Sequence, residues 1–474
     1  MSLFGFVGLI IVIIGLIHLY LWKRLVRDPL RPGLARRLGG MAMVVLAILV
    51  PATLIGTRTG YAKWLAWPGY LWLALMFYLL VTLAVLELPR LAANLWIRAR
   101  SKPAARSADA ESRSAAPTGY AGAKADDAAT SSTGTGAGMD GHASFVDAPR
   151  GVAADRGPDT PTGTAPRDVA ADRSTDSPAP SESGGVAGDH SQVGPSATGS
   201  PGVERRLLLA RGAAIFAGLT AAGITGYGVK TALSGPRLDR VQIPLAKLPR
   251  AMDGTRLAVV SDIHLGPLTG VRHTERIVNL INSVDADIVC VVGDLVDGSV
   301  AELGRFAAPL AGITSRRGAY FVTGNHEYYS GFQEWVTEVG RLGVRPLRNE
   351  RLEIGALDLA GVNDLGGADV GDGPDFKRAL GDRDPARPVV LMAHQPIAAR
   401  DAAPYGVDLQ VSGHTHGGQM APFNLVVKLE QPVVSGLGKV DGVPVYVTNG
   451  AGFWGPPVRV GAPPQVSVID LRTA

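Results

Sequence analysis

The run Leu3–Leu21, LFGFVGLIIVIIGLIHLYL, limits what this chain can fold into more than any other stretch. It is long enough to cross a bilayer, where about 20 apolar residues are needed. Inside lipid no water satisfies the backbone, so such a segment is a helix. Leu38–Gly56 is a second run of this kind. Trp67–Leu88 is a third, entered through Trp64, Trp67, Tyr70 and Trp72, which read as an aromatic interfacial belt. His18, close to Tyr20 and Trp22, reads as an interfacial residue near the end of the first span.

Charge orients these spans. The loop after the first carries Lys23, Arg24, Arg27, Arg31, Arg36 and Arg37, whereas the next holds only Arg58 and Lys63. The positive-inside rule puts the first loop in the cytoplasm and the N-terminus outside. The third span then returns to the cytoplasm, where Arg90, Arg98, Arg100 and Lys102 follow. The net charge of +4 comes with basic residues clustered beside apolar segments. That pattern points to a membrane and gives no expectation of nucleic-acid binding.

From Ser101 to Val203 the chain is rich in Ala, Gly, Ser, Thr, Pro and Asp, with no sustained apolar period. It cannot bury enough surface to offset its ordering entropy and reads as a disordered linker, with His142 and His190 as solvated bystanders. Residues 204–233 then hold Arg205, Arg206 and Arg211 ahead of an Ala/Gly-rich stretch, Gly212–Leu233, of spanning length. Two readings stand: a fourth span with positive-inside flanks, or a twin-arginine export segment, since Leu208 and Leu209 follow the arginine pair. Both send residues 234–474 out of the cytoplasm. The expected organisation is therefore a membrane region over 1–100, a linker over 101–203, a fourth span within 204–233, and a domain over 234–474.

That last region alternates short apolar runs with turn signals and helical stretches. Strands are expected at Leu257–Val260, Ile288–Val292, Tyr320–Val322, Leu357–Ala360, Val389–Met392, Leu409–Val411, Val445–Val447 and Val466–Ile469. Helices are expected at Thr274–Val284, Val300–Leu310 and Phe332–Val339. The mixture argues an α/β layered domain with sheet at its centre. Cys290, the only cysteine, lies in the apolar run DIVCVVGD and reads as a buried structural thiol.

Five apolar runs end in Asp, His or Asn, often beside Gly. AVVSDIHLG supplies Asp262 and His264, VCVVGDLVDG supplies Asp294, and FVTGNHEYY supplies Asn325 and His326. VLMAHQP supplies His394, and VSGHTHGGQ supplies His414 and His416. If the chain stays extended, His414 and His416 share one face, as do Asp262 and His264. Carboxylate, imidazole and amide oxygen together suit Mn, Fe or Zn, and one cysteine excludes a thiolate zinc site. His273, with no partner block, reads as structural or exposed.

These blocks, in this order, resemble the calcineurin-like metallophosphoesterase family, whose pattern is D-x-H, G-D, G-N-H, a lone H and G-H-x-H. The resemblance implies a four-layer fold, two mixed sheets face to face with helices outside, and a centre of two divalent metal ions at the C-terminal strand ends. Asp262, His264 and His416 would hold the first metal, Asn325, His394 and His414 the second, and Asp294 would bridge them. His326 would stabilise or protonate the leaving oxygen, with Asp297 orienting it. Gly298 stands where the protein-phosphatase branch has Arg. The closing stretch VTNGAGFWGPPVRVGAPPQVSVIDL looks like that of membrane-associated bacterial members. There Phe453 and Trp454 have two readings, an apolar lip for a lipid-like substrate or ordinary loop packing.

The expectation is a membrane-anchored, metal-dependent phosphohydrolase, multi-pass in the plasma membrane, with its catalytic domain outside the cytoplasm. It would act on a phosphodiester or phosphomonoester that is envelope-derived, lipid-linked or nucleotide. The alternative is a non-catalytic, metal-binding interaction protein of the envelope.

Overall fold

The computed structural model describes residues 3–113 and 201–474. The bulk of the stretch read as a linker, with His142 and His190, lies outside the described residues. By contact density the chain divides into Met1–Ala99 with Gly199–Ala474, and Arg100–Thr198.

Among the described residues, four helices are long and apolar enough to cross a membrane. These are α1 (Leu3–Leu21), α2 (Leu34–Arg58), α3 (Ala66–Arg113) and α4 (Pro201–Leu233). Each expected span lies inside one of them, and the chain is a membrane protein. α3 continues to Arg113, past the expected start of the linker. His18 differs from its expectation. It is buried between spans, where its Nδ1 bonds Ile14 O at 2.8 Å and its Nε2 accepts from Trp72 Nε1 at 3.1 Å. A single neutral tautomer satisfies both ring nitrogens, which is what a buried imidazole in an apolar bundle requires.

Polar contacts mark the two ends of the bundle. At one end Arg211 Nε donates to Pro29 O at 3.0 Å, and Arg24 pairs with Glu87. At the other, Lys63 Nζ meets Glu302 of the C-terminal domain at 2.7 Å, and the Arg58 guanidinium lies over the Tyr329 ring.

The C-terminal domain carries two six-stranded sheets. Its strands are β1 (Arg237–Leu245), β2 (Arg256–Val260), β3 (Ile288–Val292), β4 (Ala319–Val322), β5 (Arg345–Pro346), β6 (Glu350–Ile354), β7 (Leu357–Gly361), β8 (Val389–Met392), β9 (Leu409–Ser412), β10 (Gly436–Val440), β11 (Val443–Val447) and β12 (Gln465–Thr473). One sheet has the order β1-β12-β2-β3-β4-β5, the other β10-β11-β9-β8-β7-β6. Strands β2 to β5 run parallel, as do β7, β8, β9 and β11. The chain reverses only where β12 meets β2 and at the β6–β7 and β10–β11 hairpins.

Helices α5 (Val271–Asn282), α6 (Val300–Ala307), α7 (Asn325–Tyr329) and α8 (Phe332–Arg341) follow β2, β3 and β4, and α9 (Phe376–Leu380) and α10 (Ala399–Ala402) flank the second sheet. A last short helix, α11 (Asn424–Val427), follows β9. Both faces of the central strands are buried, so those strands read as unbroken apolar runs. In β2, Leu257 and Val259 join the core between the sheets, while Ala258 and Val260 pack under α5, α6 and α8 with Ile277, Leu303 and Trp335. Cys290 lies in the inter-sheet core, fully buried, and burial pushes its thiol up to about 12. The second sheet's outer face packs on Phe376, Ala379 and Ala399. The result is the expected four-layer sandwich.

Candidate metal centre

Parallel strands bring their C-terminal ends to one edge, where open α/β sheets place their ligands. Asp262 and His264 leave β2, Asp294 leaves β3, Asn325 and His326 leave β4, His394 leaves β8, and His414 and His416 leave β9. The seven expected metal ligands therefore converge from five strands of both sheets.

Their geometry corrects the extended-strand expectation. Asp262, His264, Asp294, His414 and His416 all have positive φ, between 48° and 71°. Each costs about 1–2 kcal/mol for a residue with a Cβ. Two-residue alternation therefore does not aim these side chains; left-handed turns just past the strands do. The turns are held by bonds from neighbouring strands. Asp262 carboxylate oxygens accept from His414 N at 3.0 Å, and Ser261 Oγ donates to Val292 O at 2.7 Å. At Gly413 any Cβ would overlap Ser261 Oγ and Asp262 Oδ2, so glycine is required there by close approach.

Two candidate half-sites result. In the first, His416 Nε2 lies 3.0 Å from His264 Nε2 and 3.2 Å from Asp262 Oδ1. His264 Nδ1 points at Asp297 Oδ1, 3.0 Å away, which leaves its Nε2 lone pair facing inward. In the second, His394 Nδ1 donates to Val292 O at 2.8 Å, so its Nε2 is unprotonated in the neutral ring. That buried Nε2 has no hydrogen-bond partner, although Asp294 Oδ2 lies 3.1 Å off. Asn325 Oδ1 and His414 Nδ1 are 3.0 Å apart. Asp294 Oδ2 stands between the two groups, 3.8 Å from His264 Nε2. Inward imidazole lone pairs beside buried carboxylates are what a cation would satisfy, and the residues fit the two divalent ions expected of them.

The electrostatics divide the donors: burial pushes the Asp262 carboxyl up, and burial opposes charge on His394, but Asp294 raises it well above the ordinary imidazole range. Burial works against charge on Asp294, yet His394 and His326 hold it well below the usual carboxylate range. Burial and the nearby His394 drive His414 down to about 3, and burial with Arg459 drives His416 well down. Both rings are thus neutral, as ligation requires. His326 goes the other way: burial opposes its charge, but Asp294 and Asp297 raise it to about 9.

His326 and Asp297 sit together at the rim. Asp297 Oδ1 accepts from His326 Nδ1 at 2.7 Å as well as from His264. The expected orienting role is thus shared between two histidines. Burial raises Asp297, but those two rings outweigh it and hold it at about 2. Of the two aromatic residues in the late loop, Phe453 is buried, whereas Trp454 is exposed with its ring 6.0 Å from that of His326. His273 is buried at the start of α5, and desolvation lowers it to about 4.

Two supporting residues escaped sequence reasoning. Glu327 is fully buried and accepts from the backbone N–H groups of Asp294, Leu295 and Gly324, clamping the bridging loop. Its signal was an acid immediately after Asn325 and His326. Arg459 is also fully buried and donates to the carbonyls of His416, Asn449 and Gly452, at 2.6 to 3.0 Å. Its signal was a lone Arg in an apolar Gly/Pro-rich loop. Arg459→Ala leaves these carbonyls unpaired and is expected to cost about 3–5 kcal/mol. The thermal unfolding midpoint in detergent should fall by roughly 10 °C; an unchanged midpoint would rule the clamp out.

Fold and donor set define a class: a double-sheet sandwich with a candidate two-cation centre at its strand ends. Residues 255–418 match the calcineurin-like phosphoesterase description. An uncharacterized metallophosphoesterase of Helicobacter pylori is 36% identical over 254 residues, which cover 52% of this chain and 68% of that protein. One of Aquifex aeolicus is 33% identical over 243 residues, covering 50% of this chain and 92% of that protein. A transmembrane protein with metallophosphoesterase domain from Danio rerio is 37% identical over 262 residues, covering 52% of this chain. The match spans only 60% of the length of that fish protein and of its Bos taurus counterpart. This chain belongs to the calcineurin-like metallophosphoesterase family. Its relatives extend to vertebrates, so they do not single out a bacterial branch.

Proposed function

We propose that the chain is a membrane-anchored phosphohydrolase that cleaves phosphate esters with two divalent ions. Asp262, His264 and His416 would hold one, Asn325, His394 and His414 the other, and Asp294 both. The observation that carries this reading is His326, whose Nδ1 is fixed by Asp297 while its Nε2 faces the candidate centre, 3.9 Å from Asp294 Oδ2. A module that only held metal would have no use for an oriented imidazole at the rim. Bound divalent ions would lower the pKa of water and polarise phosphoryl oxygens. His326 would donate its Nε2 proton to the departing oxygen from the imidazolium form, and Asp297, accepting from Nδ1, would hold that charged ring in place. Gly298 follows Asp297 in place of an arginine, and a site without that extra cation would tolerate a second ester group, which favours diesters. The test is cleavage of an aryl phosphodiester by the full chain in detergent with Mn. Turnover should vanish with chelator and return with metal; persistent absence of turnover with metal loaded would overturn the reading.

The same proposal places the phosphoesterase domain, from about residue 234, outside the cytoplasm at the plasma membrane, with the linker inside. Supporting it, Arg211 bonds the basic loop at Pro29, whereas Lys63 and Arg58 meet the domain at the opposite end of the bundle. Protease added to cells with opened outer barriers should digest the chain after Leu233 and spare 101–203. Digestion of the linker with a protected domain would reverse the topology.

A further inference from the structure

The turn that carries His416 runs on through Gln419 to Met420 and then α11. Around α11, Phe423, Leu425, Val426 and Leu429 are exposed by 45 %, 61 %, 52 % and 87 %. Four large apolar side chains on one short lip are costly in water. Their surroundings show what covers them. The Phe423 ring packs edge-on against Phe77 of α3, with centroids 6.4 Å apart. Met420, Val458 and Val460 join the apolar cluster formed by the spanning helices, and Arg459 N donates to Gly228 O of α4 at 2.9 Å.

Depth along α3 decides the matter. The span Lys63–Pro89 has 27 residues, about seven more than the ~20 a crossing needs. Even if all seven project beyond the lipid at the Lys63 end, the crossing starts near Tyr70. Phe77 then lies seven residues further in, ~10 Å deep at 1.5 Å per residue. Phe423, in contact with Phe77, shares that depth, and its exposed neighbours face acyl chains. Trp454 and Tyr329, 57 % and 64 % exposed on either side of His326, stand nearer the surface, with Arg58 over Tyr329. Aromatic rings and a guanidinium suit the headgroup layer.

We infer that the Phe423–Leu429 lip is inserted into the bilayer leaflet beside the phosphoesterase domain. It holds the mouth of the metal centre at the lipid surface, so that amphiphilic phosphate esters enter from the membrane. The insertion stands on packing alone; the entry route rests on the hydrolase reading. Its occupant is lipid rather than a second copy, because the patch is continuous with the spanning helices.

The test uses the full chain in lipid nanodiscs, with Leu429→Cys labelled by an environment-sensitive fluorophore. Unsubstituted chain, whose Cys290 is buried, is the labelling control. Asp382→Cys, at a side chain 82% exposed, is the aqueous reference. Brominated phosphatidylcholine should quench the Leu429→Cys label roughly twofold or more and leave the Asp382→Cys label bright. Equal quenching at both positions in folded protein would overturn the insertion. So would a disulfide between two Leu429→Cys copies with no lipid quenching, which would make the patch a dimer contact. For the entry route, Leu425→Asp with Leu429→Asp should lower turnover of a long-chain phosphoester in bilayers about tenfold, with that of a soluble aryl ester unchanged. Equal turnover of the long-chain ester would overturn that route. Absence of turnover by the unsubstituted chain on every ester would strike the hydrolase reading instead, with quenching unaffected.

Discussion

Asp294→Ala is expected to empty the metal centre and lower kcat/KM on the order of 10³-fold, ~4 kcal/mol of transition-state stabilisation. Asp294 is the one carboxylate placed between the two groups of donors, with Oδ2 3.1 Å from His394 and 3.8 Å from His264. Without it two divalent ions would face each other unscreened, and the first to bind would repel the second. Its Oδ1 also accepts from His326 N at 2.9 Å, so His326 loses an anchor too. Metal content by mass spectrometry should fall together with turnover. Asp294→Asn keeps the shape and the bond to His326 N but removes the charge, and it should lose metal as well. A variant that retained two ions and ordinary turnover would end the bridging assignment.

His326→Ala is expected to behave differently. None of its ring atoms is needed to hold a cation in the proposed assignment, so metal content should stay near that of the unsubstituted chain while kcat falls by roughly 10²–10⁴-fold. The loss should shrink for esters with good leaving groups, whose oxygen needs no proton. Asp297→Asn should show the same leaving-group pattern more weakly, because His326 keeps its place but loses the carboxylate charge, 2.7 Å away, that stabilises its protonated ring. It should also weaken metal binding about 10–100-fold, since Asp297 orients His264 too. Equal loss for all leaving groups in His326→Ala would point to phosphate binding, and loss of metal would make His326 a ligand.

The strands that were legible beforehand are the central ones. β2, β3 and β8 are buried on both faces and leave unbroken apolar runs, such as IVCVV in β3. β1, β5, β6 and β10 were not seen, because each is an edge strand that mixes charged residues, glycine or proline with few buried apolar ones, as in RLDRVQIPL and GLGKV. Their strand state comes from a partner far away in sequence: β1 pairs with β12, across more than two hundred residues. The short helices α7 and α9 to α11 lie below the length at which apolar periodicity can be read.

By itself the sequence determined the spanning helices, since no other structure is open to such apolar runs in lipid. It determined the identity and order of the metal-ligand candidates as well, since only donor chemistry at apolar run ends was needed to see them. Tertiary structure alone decided how those donors aim. Positive φ at Asp262, His264, Asp294, His414 and His416 is tolerated because neighbouring strands hold the turns, a contact that local pattern does not encode. It alone shared Asp297 between His264 and His326, buried Arg459 under the His416 turn, and laid the α11 lip against Phe77. Each of these joins residues distant in the chain, and the free energy that selects them appears only when the packed elements exclude water between them.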